Sequence, residues 1–201
     1  MKTPVPNRTV TLTWLLLAGL ATANLGCQVA TTRQPIGSKP AAVSELRLDG
    51  IWRSPDGQPF FIRTLDAASG KLEAAQVATN EAGFVLNRHE ILLRRQDDVL
   101  FANVREIAPQ TENDYVFGRL TVQEDLLVLT LAAVKPLRTL ALQGGLQAEI
   151  TTNQDQGESS YSVVVTNGFH SLATRLADPG GWQWLDTANP VVLTRQRSGL
   201  N

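Results

Sequence analysis

The chain has 201 residues, 43% of them hydrophobic and 18% charged, with a formal net charge of -1, two histidines and one cysteine. With no basic run and no interleaving of aromatic and basic residues, it lacks the electrostatic footprint of a nucleic-acid binder, and nucleic acid is not an expected partner. A single cysteine also excludes an intramolecular disulfide framework.

Lys2 and Arg8 precede an apolar run over residues 12–20, and no acidic residue appears before Glu45. The run is shorter than the roughly 20 apolar residues that span a bilayer, so residues 1–26 read as a cleavable export signal. Two cleavage sites compete. Ala21 and Ala23 frame a small-x-small site that would release a soluble periplasmic or secreted protein beginning at Asn24. Leu25-Gly26-Cys27 resembles the end of a bacterial lipobox, in which a diacylglyceryl group is placed on the cysteine sulfur before cleavage on its amino side. Gly26 fits that pattern; three and two positions before the cysteine, where Leu and a small residue are usual, stand Asn24 and Leu25. An unpaired thiol in an oxidising compartment is a liability unless something consumes it, which favours Cys27 as a lipid-attachment residue.

The resemblance implies a bacterial lipoprotein precursor, membrane-anchored in the cell envelope through its acyl chains. Gln28, standing where an Asp usually signals inner-membrane retention, leans toward the outer membrane in a Gram-negative cell. Loss of Lys2 and Arg8 with the leader takes the net charge from -1 to -3.

Residues 27–44 contain Pro35, Gly37 and Pro40 and no sustained apolar period, so a flexible tether is expected behind the anchor. The folded part is expected over residues 45–197, a single domain large enough to do without disulfides, with 198–201 as a tail.

Period-two patterning dominates that domain. Residues 115–123 alternate Val116, Gly118, Leu120 and Val122 against a mixed face, as a half-buried antiparallel strand does. Residues 126–134 follow after only Glu124 and Asp125, which predicts a tight hairpin. Further strands are predicted at 46–53, 60–65, 71–79, 84–94 and 99–106, separated by turn-rich stretches such as Ser54-Pro-Asp-Gly57 and Ala68-Ser-Gly70. Residues 136–142, ended by Gly144-Gly145, predict a short helix. Strands near 146–152 and 161–166 are expected to resume the sheet. A second short helix is expected over 168–176, with Asn167 as its N-cap and Asp178-Pro-Gly-Gly181 as its stop. A last strand at 191–195 completes the pattern. The fold class is mainly β: an antiparallel up-and-down meander, closed into a barrel to remove exposed edges, with one or two short helices in the C-terminal third.

Leu48-Asp-Gly-Ile-Trp52 places a Gly-x-Trp frame at the first strand, which resembles the start of lipocalin-like barrels, where the Trp plugs one end. The layout is also similar to uncharacterised exported bacterial lipoproteins with a Gly-x-Trp start. The resemblance implies a fold and a location, and supplies no activity.

Catalytic constellations are sparse. No Gly-x-Ser-x-Gly elbow, phosphate-binding loop or His-Glu-x-x-His motif occurs, so no catalytic residue, metal site or cofactor is assigned. His89 and Glu90 adjoin on a strand and point to opposite faces, so His89 is expected to be a solvated or hydrogen-bonded strand residue. His170 reads as a surface residue, Arg94-Arg95 beside Asp97-Asp98 as a solvated charge group, and Trp182 with Trp184 as a cover over an open edge of the core. The expected function is therefore that of a non-enzymatic envelope lipoprotein whose barrel binds a small apolar ligand or a partner protein. A structural or assembly protein with a filled barrel is the alternative, and a cryptic hydrolase the third reading. Cavity size separates the first two: an empty apolar cavity of several hundred cubic ångströms favours binding, and a filled interior counts against it.

Overall fold

The computed structural model describes residues 29–80, 83–107, 114–155 and 158–197; the leader, Cys27 and the tail lie outside them. In chain order the strands are β1 (Val29–Thr32), β2 (Lys39–Pro40), β3 (Gly50–Arg53), β4 (Pro59–Asp66), β5 (Lys71–Asn80), β6 (Gly83–Gln96), β7 (Val99–Glu106), β8 (Tyr115–Gln123), β9 (Leu126–Leu131), β10 (Ala148–Asp155), β11 (Glu158–Val165) and β12 (Val191–Arg195). Helix α1 (Val134–Leu142) follows β9, and α2 (Phe169–Ala177) runs into a 3-10 helix, Pro179–Trp184.

Strands β3 to β9 form an antiparallel meander, and β12 pairs with both β9 and β3, closing it into an eight-stranded barrel. Alternation sets the interior: Phe60 and Ile62, Leu72 and Ala74, Leu100, Ala102 and Val104 are buried inside, with Leu127 opposite. The β4–β5 turn requires its glycine. Gly70 has φ +71°, and a Cβ there would lie 2.4 Å from the Leu93 carbonyl oxygen and 2.9 Å from that of Ala41.

One end of the barrel is plugged by Trp52, which is fully buried. Its indole N–H donates to the Leu48 carbonyl at 2.8 Å, and the Arg195 guanidinium lies 4.5 Å from the ring centroid. Arg195 is held there by donating to the carbonyls of Asp49, at 2.9 Å, and Arg47. The plug expected from Gly-x-Trp is thus built from β3 and β12, which pair to close the barrel.

Of the residues expected to form a flexible tether, 29–44 are folded instead. Ala30, Ile36, Ala41 and Val43 are 0–3% exposed, and β1 pairs antiparallel with β8 and parallel with β11. Asn103 is the clamp for this segment. Its Oδ1 accepts from the Ile36 N–H at 2.7 Å, and its Nδ2 donates to the Ile36 and Leu92 carbonyls, each at 3.1 Å. The described fold therefore reaches back to β1, upstream of residue 45. Each anchoring contact comes from one residue of an extended segment, so no periodic signal marks it.

Strands β10 and β11 rejoin the sheet as expected, but they lie outside the closed barrel. They pair with each other and, through β1, form a wing on β8, whose first residues carry β1 and whose remainder carries β9. Gly118 stands at this fork, where a Cβ would meet the Thr130 carbonyl oxygen at 2.3 Å. Helices α1 and α2 fill the angle between wing and barrel in a second core with Ile36, Phe101, Phe117, Leu137, Leu172 and Leu176. Strand β7 is accordingly buried on both faces. The α2 N-cap is Gly168, at φ +79°, and the Asn167 side chain accepts from the Gly168 N–H without capping the helix itself.

Candidate functional site

Above the Trp52 plug the barrel holds a partly open apolar cavity of about 90 Å³. Its wall includes Leu48, Ile62, Leu93, Leu127 and Leu193, and one polar side chain, His89. The β5–β6 register sets His89 opposite Ala74 and on the same face as Ile91 and Leu93, so the imidazole points inward. It is 1% exposed, and neither ring nitrogen has a hydrogen-bond partner. Burial pushes the His89 pKa below the usual histidine range, which keeps the ring neutral at physiological pH. The expectation of a solvated or hydrogen-bonded strand histidine is therefore overturned. The signal was present in the sequence: period two from Ile91 and Leu93 carries back to His89.

A second orphaned group lies close by. Gln76 shares the inward face of β5 with Leu72 and Ala74, is 5% exposed, and its Oε1 has no partner. It stands one layer beyond Ala74, diagonal to His89, so the apolar pit is topped by polar atoms that the fold itself leaves unpaired.

The outer face of the same strands carries a separate charge lattice. Glu73 and Glu90 are register partners on β5 and β6. Arg63 donates to Glu73 at 2.6 Å, and Arg88 closes on its other oxygen. Lys71 lies 2.6 Å and Arg105 2.7 Å from Glu90, with the Tyr115 hydroxyl donating at 3.3 Å. The Arg88 hydrogen bond leads in holding the Glu73 carboxyl below its usual range. Burial pushes Glu90 up, but Lys71 and Arg105 together outweigh it and the net direction is down. Paired carboxylates perform hydrolysis when one of them keeps a proton to donate. Both are ionised here, and the lattice serves to offset like charges directly opposite one another.

His170 is exposed on α2, as expected for a surface residue. Trp184 packs against the second core, whereas Trp182 is 49% exposed and covers the Arg119 guanidinium, 4.5 Å from its ring centroid. Arg119 in turn donates to the Leu176 carbonyl at 2.6 Å and the Asp178 carbonyl at 2.9 Å, fixing the end of α2 to the barrel wall. Arg94 reaches the Gly37 carbonyl at 2.8 Å and so braces the segment crossing the barrel end. Among the described residues no three His, Cys, Asp or Glu side chains are grouped as metal ligands. No protein family, characterised protein or solved structure matches the chain.

Proposed function

We propose that this chain is a cell-envelope lipoprotein, attached to the membrane through Cys27, whose barrel binds a small apolar ligand. One observation carries this reading: the space of about 90 Å³ left inside the barrel is walled by aliphatic side chains and one inward histidine, His89, whose ring nitrogens have no hydrogen-bond partner. Ordinary ligand pockets span roughly 300–1,000 Å³. Most of this barrel is thus filled by its own side chains, and the occupant is limited to a molecule of about one ring or a short hydrocarbon chain. The interior supports this reading over one of a purely structural plug, because a plug gains nothing from an inward histidine without partners.

The lipid attachment rests on the lipobox resemblance and the unpaired thiol. Only Gln28 separates Cys27 from β1, and two extended residues reach about 7 Å. An acylated Cys27 would therefore hold the wing close to the lipid headgroups.

Two measurements test the proposal. Native mass spectrometry of the protein extracted from membranes should show an added small mass that is lost on denaturation; a uniformly ligand-free protein counts against the binding reading. Cys27→Ala should move the protein from the membrane fraction to the soluble one. A wild-type protein already soluble and beginning at Asn24 removes the anchoring reading.

A further inference from the structure

We infer that the pit beneath His89 is a binding site for a small neutral molecule with a compact hydrocarbon body and one hydroxyl group, oriented by a hydrogen bond to the His89 imidazole. This rests on the reading of the barrel as a ligand site and names the chemistry that site selects. A buried polar group without a partner costs about 1–3 kcal/mol of desolvation, and a leucine at position 89 would complete the wall without that cost. Packing therefore gives no account of this histidine, whereas a ligand's hydrogen bond does. A neutral imidazole offers one N–H donor and one acceptor nitrogen, which a hydroxyl can match in either direction.

Water is a poorer occupant. Buried waters ordinarily make about three hydrogen bonds, and His89 is the only polar side chain among those lining the cavity. A carboxylate is poorer still. It would enter an apolar wall beside an uncharged ring. The aliphatic wall below accepts the hydrocarbon body.

Phenol and toluene separate the two levels of this inference, because they have the same number of heavy atoms and differ at a hydroxyl against a methyl. Both are titrated into the full chain while the His89 ring-nitrogen resonances are followed by NMR, and again with the His89→Leu variant. Both probes should bind the wild type, with phenol alone shifting the ring nitrogens. His89→Leu should lower the phenol-to-toluene affinity ratio about fivefold, the worth of one net hydrogen bond. If both probes bind, but phenol leaves the nitrogens unmoved and the ratio does not change, the histidine's role is overturned while the cavity reading stands. If neither binds by about 1 mM, a weak limit even for fragments, both fail. Should the variant not fold, the wild-type nitrogen shift decides alone.

Discussion

Trp52 tests the barrel closure most sharply, because its environment separates into three contributions. Trp52→Ala removes a fully buried indole and is expected to cost about 3–5 kcal/mol. Trp52→Phe keeps a ring but leaves the Leu48 carbonyl without its 2.8 Å donor, an expected loss of about 1–3 kcal/mol. Arg195→Met keeps much of the aliphatic stem and removes the cation over the ring; combined with Trp52→Leu, which removes the aromatic face, in a double-mutant cycle it should give a coupling of about 0.5–1 kcal/mol. Domains of this kind are stable by about 5–15 kcal/mol, so the alanine variant should lose a large part of the total. Urea unfolding followed by far-UV circular dichroism measures all three without depending on the altered fluorophore. A cost below about 1 kcal/mol for Trp52→Ala, at unchanged m-value, would refute the plug.

Asn103→Ala strands the Ile36 N–H together with the Ile36 and Leu92 carbonyls and should cost about 2–4 kcal/mol. Hydrogen exchange should show the Ile36 amide protected in the wild type and exposed in the variant, whereas rapid exchange in both would restore the tether. The acid limb of stability should resolve into two windows. The folded pKa of His89 is depressed, so the unfolded chain binds more protons and stability falls as pH drops below about 6.5 toward that lower folded value; His89→Leu should flatten this slope. Glu73 is likewise depressed from 4.5, so its contribution is lost as pH falls below about 4.5 through the folded value, and Glu73→Gln should flatten only that lower limb. Urea midpoints measured across pH 7 to 3 distinguish the two, and slopes unchanged by either substitution would contradict the assigned environments.

Much of the barrel was legible because its strands carry the half-buried alternation that period two detects. Gly-x-Trp located the first barrel strand and the plug correctly, but its partner Arg195 was invisible, since pairing across the closure depends on strand register and not on local pattern. Residues 29–44 escaped because their burial is made contact by contact, through Ile36, Ala41 and Val43. The wing escaped for a different reason. Strands β10 and β11 look local like any hairpin, and whether such a hairpin joins the barrel or leaves it depends on β1 having taken the first residues of β8. His89 lay within reach of its alternation with Ile91 and Leu93, yet its lack of partners emerges only when the surrounding wall is assembled.

Crystals of the protein pressurised with xenon test the central claim directly, since xenon enters apolar cavities without needing a polar partner. A xenon site is expected inside the barrel among Leu93, Leu127 and Leu193, lost when Ala74→Phe fills the space from β5. A barrel interior that takes up no xenon would contradict a ligand site there.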